Sequence, residues 1–203
     1  MESTDPTIAG LLLSGGDSSR FGAPKANAQL GGRSLSWIAL SRLATTCSAI
    51  AVAGPHNDNA ADHPFLSDAP DLTRSPLTGI LSGLEWAESI NAQWLVVSPC
   101  DMPLLPPSTL RELLETVTAS AAPIAMVADR DGANPLCSVW SPDLARTVRE
   151  RLSDKHPAIW RFAEALGAAR LQLRQPALTL NINTPQDLQN AEELTERHWW
   201  KAV

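Results

Sequence analysis

Three scarcities narrow what this 203-residue chain can be. Cysteine is the first: Cys47, Cys100 and Cys137 are odd in number and far apart, and no CxxC pair serves zinc or thiol–disulfide work. They read as small buried hydrophobes in a reducing, cytoplasmic setting. Cations are the second: 16 Lys and Arg face 22 Asp and Glu, a net charge of -6, which argues against nucleic acid bound through bulk charge. Long apolar runs are the third, since none approaches the ~20 residues that span a bilayer, and no membrane partner is expected. Residues 1–7 carry Glu2 and Asp5 but no cation, so a signal peptide is not expected either. With 44% hydrophobic and 19% charged residues, the chain suits neither a disordered nor a membrane protein. Its length sets one domain, residues 1–203, as the expectation.

Familiar catalytic signatures are missing too. His56, His63, His156 and His198 show no HxxxH spacing and no neighbouring cysteine pair, which leaves zinc without a site. Ser14-Gly15-Gly16 is not a GxSxG nucleophile elbow. Five residues separate Gly16 from Gly22, and Ala23-Pro24 precede Lys25, so the P-loop pattern fails. Gly15-Gly16-Asp17 cannot supply a GxGxxG fingerprint.

What is present is alternation. Residues 8–13 form an apolar run interrupted only by Gly10, the pattern of a strand buried on both faces. A helical spacing of Leu35, Ile38, Ala39 and Leu43 follows over residues 34–46. Further strands are expected at 49–53, 94–97, 124–128, 136–140 and 178–182. Helices are expected at 76–90, 107–117, 142–152, 157–166 and from Thr184-Pro185 through about residue 196. Residues 56–74 read as a polar loop. The order predicts an α/β three-layer sandwich with a mostly parallel sheet, without internal repeats or linkers. Arg146, Arg149, Arg151 and Lys155 read as a solvated helix face. The pair Trp199-Trp200 reads as apolar packing or a dimer contact, before a ligand role.

The densest feature is LLLSGGDSSRFGAPK at residues 11–25, a buried strand running into a loop of small residues with two cations. Small residues let backbone N–H groups approach an anion and form a nest around it. Arg20 can grip phosphate oxygens bidentately, and Lys25 supplies a compact charge. An ordinary glycine turn has the same composition, and Asp17 opposes an anionic ligand. Downstream, SPCDMP at residues 98–103 sets Asp101 just beyond an apolar run. There it would share a sheet edge with the glycine loop and could anchor magnesium, or could simply be a solvated or capping residue.

The loop is similar to the nucleotidyltransferase signature LxxGxSxRxGxxK, with Gly15 or Gly16, Ser18, Arg20, Gly22 and Lys25 in place. The chain most resembles the molybdenum cofactor guanylyltransferase (MobA-like) family. SPCDMP resembles that family's PCDxP element, SPLTGI at 75–80 its GPLAGI with Ser75 for glycine, and NINTPQDL at 181–188 its NVNTPxDL element. Asn134-Pro135-Leu136, followed by Ser138-Val139-Trp140, also matches. The matches run from about Ile8 to Leu194.

The resemblance implies a Rossmann-like sheet of the nucleotide-diphospho-sugar transferase type. It implies transfer of GMP from GTP to the terminal phosphate of molybdopterin, with release of pyrophosphate and formation of a guanine dinucleotide cofactor. It also implies Arg20, Lys25 and Asp101 as catalytic residues. Leu13, Ser14, Gly15, Gly16, Lys25, Asp71 and Asp101 would bind the nucleotide, and Asp101 with Asn183 would hold Mg²⁺. Asp71 would select guanine, with Asp68 as the alternative, and Asn57 is the nearest residue to an Asn that contacts the base in the family. The protein would be a monomer or weak homo-oligomer in the cytoplasm. Two alternatives remain, a cytidylyltransferase using CTP and an inactive nucleotide-binding scaffold. The GPLAGI-like element, and Asn183 where an Asp would be expected in the CTP group, favour GTP.

Overall fold

An apolar run that needs cover on both faces should lie at the centre of a sheet, and β1 (Ile8–Leu13) does. The protein is described by a computed structural model over residues 7–14, 25–55, 58–68, 72–73, 75–154 and 158–196. After β1 come a two-stranded hairpin, β2 (Gln29–Leu30) with β3 (Arg33–Ser34), helix α1 (Leu35–Leu43), β4 (Ala49–Ala53) and β5 (Phe65–Leu66). Helix α2 (Pro76–Ser89), β6 (Trp94–Pro99), α3 (Ser108–Ser120), β7 (Ile124–Asp129) and β8 (Gly132–Trp140) follow. The chain continues through α4 (Ala145–Asp154), α5 (Ile159–Ala165), β9 (Ala169–Gln172) and α6 (Pro185–Glu196).

Seven strands share one sheet in the order β5-β4-β1-β6-β8-β7-β9. Only β8 runs against its neighbours β6 and β7; the other pairings are parallel. The predicted α/β sandwich with a mostly parallel sheet is therefore the observed fold.

Side-chain alternation along β1 divides the core. Ala9, Leu11 and Leu13 face a cluster with α2, α4 and α5, whereas Leu12 faces α1 and α3 on the other side. Helix α2 lies close against the sheet. A Cβ on Gly83 would lie 2.6 Å from Leu11 Cδ2 and 3.1 Å from Leu95 Cδ2, so glycine is what allows this contact. Ser75 caps the helix through a reciprocal pair: its Oγ accepts from Thr78 N (3.3 Å), and its N–H donates to Thr78 Oγ1 (2.9 Å). Serine in place of glycine thus adds a cap that glycine lacks.

Two sequence expectations need correction. Residues 178–182 are not a strand: Pro176–Thr179 forms a 3-10 turn, and residues 180–183 join no ladder. Pro176 has no N–H to donate, Leu178 is buried, and Ile182 packs with Leu30, Leu35, Leu104 and Ala191 rather than within the seven-stranded sheet. The region 56–74 is not wholly loop either, because Phe65 and Leu66 pair with Val52 and Ala53.

β9 is an additional strand. Its alternating half-buried and exposed residues lie at the sheet edge, so no apolar run marks it. β8 begins at Gly132, earlier than residue 136. Its pairing with β7 jumps from Met126–Ser138 to Val127–Asn134, and residues 135–137 are left out of that ladder. Pro135 cannot donate there, which accounts for the interruption.

Candidate active site

Parallel strands β1 and β6 carry their following segments to one edge. Leu13 is in register with Pro99 of β6 and Ala53 of β4, so the segments after residues 13 and 99 emerge side by side. Connections leave β1 toward β4 on one side and reach β6 on the other, with α1 and α2 on opposite faces. In open α/β sheets that switch point is where ligands bind. At this edge Cys100 N–H donates to the Leu13 carbonyl (3.3 Å), and Ser14 N–H donates to the Ala53 carbonyl (2.9 Å).

Asp101 is the first charged residue beyond β6, and Lys25 opens the 3-10 turn Lys25–Asn27. Lys25 Nζ donates to Asp101 Oδ2 and to Asn183 Oδ1, each at 2.8 Å. The Lys25 and Asp101 side chains are 12% and 16% exposed, so this pair is shielded far more than a surface salt bridge. Residues separated by as many as 158 positions converge on one ammonium.

The C-terminal turn completes the cluster. Ile182 N–H donates to the Asp101 carbonyl (2.8 Å), which locks the turn to the loop after β6. Asn181, with its amide nitrogen facing the carboxylate, donates to Asp101 Oδ2 at 2.9 Å and Oδ1 at 3.0 Å. Asp187 holds the same turn by accepting from the N–H groups of Asn183 (2.9 Å) and Thr184 (2.8 Å). Burial opposes the charge on Asp187, but the bonds from Asn183 and Thr184 and the nearby Lys25 outweigh it, and its pKa falls below the usual carboxylate range.

A cleft of about 290 Å³ opens against Asp101. Pro76, Asn134, Pro135, Leu136, Ile159 and Asn181 line it, so two amides face a mostly apolar wall. Asn134–Leu136 lie where β8 leaves its ladder with β7. Asp129 anchors the hairpin by accepting from Asp131 N, Gly132 N and Asn134 Nδ2.

Burial pushes the thiols of Cys47 and Cys100 up to about 12 and that of Cys137 to about 11. Cys100 and Cys137 are buried, as the sequence suggests, while Cys47 is half-buried. Such thiols stay protonated and offer no nucleophile beside Asp101.

The fold brings Lys25, Asp101 and Asn183 together, with Leu13 and Ser14 at the same edge. Asp68 lies two residues beyond β5, separated from β6 by β4 and β1. Gly15, Gly16, Arg20, Asn57 and Asp71 fall outside the described residues. Asn181 was not singled out by sequence reasoning, although its two-residue spacing from Asn183 in an extended turn was a signal. Arg42 was also missed: it stands three residues after Ala39 on the core-facing side of α1, an unusual place for a charge.

The donor set suits a hard divalent cation. Lys25 Nζ already bridges a carboxylate oxygen and an amide oxygen, and both are ligand types that magnesium and manganese accept. Among the described residues no three His, Cys, Asp or Glu side chains form a metal cage. A cation here would draw its remaining ligands from water and substrate phosphates. Among the same residues, no helix is long and apolar enough to cross a membrane.

A family model described as a MobA-like NTP transferase domain matches residues 10–170. The molybdenum cofactor guanylyltransferase of Rhodopseudomonas palustris strain HaA2 is 32% identical over 201 residues, 95% of this chain and 94% of that protein. The crystal structure of molybdopterin-guanine dinucleotide biosynthesis protein A from Archaeoglobus fulgidus superposes with a TM-score of 0.75 at 21% identity. That match covers 93% of this chain and 99% of the other. Rv0371c from Mycobacterium tuberculosis, crystallised with manganese, gives a TM-score of 0.64 at 17% identity over 92% and 98% of the two chains. At these identities the two structures establish the fold.

Proposed function

Because the chain belongs to the MobA-like NTP transferase family and is a nucleotidyltransferase, we propose that it transfers GMP from GTP to molybdopterin. An oxygen of the acceptor's terminal phosphate forms a bond to the α-phosphorus, the bond from that phosphorus to the bridging β-phosphate oxygen breaks, and pyrophosphate leaves. The observation that carries this reading is the convergence of Lys25, Asp101, Asn181 and Asn183 at the switch point between β1 and β6. The guanylyltransferase relatives and the SPLTGI element support GTP over CTP.

The chain's own groups do the work of positioning and charge neutralisation. Lys25 would share its charge with the triphosphate, and Arg20 would grip its oxygens bidentately. The N–H of Ser14 and the carbonyl of Leu13 are taken up within the sheet, and the amides of Gly15 and Gly16 would bind phosphate oxygens. Asp101 and Asn183 would hold Mg²⁺, which when bound polarises the phosphoryl oxygens as a Lewis acid. Asp71, or Asp68, selects guanine by accepting from its N1–H and exocyclic amine. Asn134 and Asn181 offer polar contacts to an acceptor in the apolar-walled cleft. The chain acts as one domain, a monomer or weak homo-oligomer, in a reducing cytoplasm that suits its three free thiols.

Turnover with molybdopterin, magnesium and each nucleotide tests the reading. Wild-type protein should use GTP in preference to CTP. Lys25→Ala and Asp101→Ala should each lower turnover by about 100-fold or more while the melting temperature holds. Full activity in either variant overturns the mechanism, and a preference for CTP overturns the guanylyl assignment alone.

A further inference from the structure

The loop that presents Asp101 has a shortage of hydrogen-bond donors. Residues 99–107 read PCDMPLLPP, and Pro99, Pro103, Pro106 and Pro107 have no N–H. The carbonyls of Pro99, Met102 and Leu105 belong to buried residues and need partners from elsewhere. One side chain supplies them. Arg42, 3% exposed in the last turn of α1, donates through one terminal nitrogen to Met102 O (3.0 Å) and Leu105 O (3.3 Å). Its other terminal nitrogen donates to Ser98 Oγ (2.9 Å) and Pro99 O (3.4 Å). Two of these acceptors precede Asp101 and two follow it, so the guanidinium sits inside the turn that has Asp101 at its apex.

That arrangement is costly. Among the described residues no carboxylate comes within ion-pairing distance of Arg42, and its Nε is buried without a partner. Burial pulls the guanidinium pKa down; Cys137, Cys100 and Asp101 only partly oppose this. Beside an apolar side chain, which would leave the Pro99, Met102 and Leu105 carbonyls without these donors, a buried guanidinium without a counter-ion still carries a desolvation cost. The guanidinium is good design for holding a proline-rich loop in one shape, because the planar fork supplies several donors in fixed directions.

We propose that Arg42 is the positioning residue of the metal–nucleotide site, pinning the 98–105 loop from inside so that the Asp101 carboxylate meets Lys25, Asn181 and the incoming cation in one geometry. The proposal rests on the reading of Asp101 as metal anchor. Arg42 touches no substrate and acts through Asp101, and the Met102 and Leu105 carbonyls fix the far side of the same turn.

The test measures Mn²⁺ binding to the full chain in the presence of GTP, together with GTP binding without metal and thermal unfolding. Arg42→Lys keeps the charge but loses the fork. It should raise the half-saturating Mn²⁺ concentration about tenfold or more, as loss of a group orienting a metal ligand does, and leave metal-free GTP affinity unchanged. Ser98→Ala removes one acceptor with little loss of volume. It should shift the same midpoint about threefold, and it decides the matter if Arg42→Lys does not fold. A wild-type Mn²⁺ midpoint in folded Arg42→Lys, or in Ser98→Ala where that variant decides, overturns the proposal even if the melting temperature falls. Asp101→Asn separates the two levels. If it binds Mn²⁺ like the wild type, the metal-anchor reading fails and the Arg42 proposal fails with it. If it loses Mn²⁺ while the other two variants keep it, only the role of Arg42 fails.

Discussion

Asn181 is the residue on which the geometry of Asp101 most visibly depends from the solvent side. Its amide spans both carboxylate oxygens at 2.9 and 3.0 Å, a bidentate contact that fixes the plane of the carboxyl group. Asn181→Ala should therefore lower turnover about tenfold or more with a melting temperature close to wild type, because the side chain is exposed and fills no core space. Asn181→Asp should cost more, since it sets a second negative charge against Asp101. Steady-state kinetics beside a thermal melt checks both, and wild-type turnover in Asn181→Ala refutes the dependence. Lys25 and Asp101 were legible as residues because each sits in a short motif beyond an apolar run, and Asn183 through the resemblance of NINTPQDL to the family's element. Their meeting was not legible, because ion pairing across 76 positions is a property of strand order. Arg42 and Asn181 were missed for a related reason: each holds Asp101 or its loop from a distant segment, and motif spacing does not mark such contacts.

At the scale of elements, the start of α6 joins stability to the site. Thr184 Oγ1 accepts from Asp187 N–H (3.2 Å) while Asp187 Oδ2 accepts from Thr184 N–H (2.8 Å), a reciprocal cap read only as Thr184-Pro185 in the sequence. The same carboxylate accepts from Asn183 N–H, so one side chain shapes the helix start and the turn that carries Asn183. Asp187→Ala should cost about 1 kcal/mol at pH 7 and also reduce turnover. The folded-state pKa of Asp187 lies below its unfolded value. Its contribution is thus fully present above about pH 4 and disappears as pH falls through the folded pKa. Denaturant titrations of wild type and variant should converge at low pH; an undiminished gap there refutes the assignment. Elements marked by unbroken apolar runs, β1, β4 and β6, were readable because burial on both faces leaves no polar interruption. β5 and β9 were not, being two and four residues long at the sheet margins. The stretch 178–182 was misread because its apolar side chains serve a small cluster of Leu30, Leu35, Leu104, Ile182 and Ala191 outside the sheet.

For the whole molecule, a sheet shared by strands from residue 8 to residue 172 ties early and late parts of the chain into one unit. Unfolding should be a single transition, with tryptophan fluorescence and far-UV circular dichroism coincident, and GTP with magnesium should raise its midpoint. Two separated transitions would divide the chain into independent parts and refute the one-domain proposal. Net charge of -6 bears on this scale and not on the site, where Lys25 meets Asp101 under partial burial. Composition and periodicity by themselves determined the fold class, the alternation of strands and helices, and the candidate loops at their ends, because burial patterns are local and repeat with the period of each element. Only the tertiary structure decided that β8 runs antiparallel, that the NINTP turn docks on Asp101, and that a buried arginine holds the loop between them. Those outcomes depend on which distant polar groups remain unpaired once the core has closed, and no local pattern encodes that.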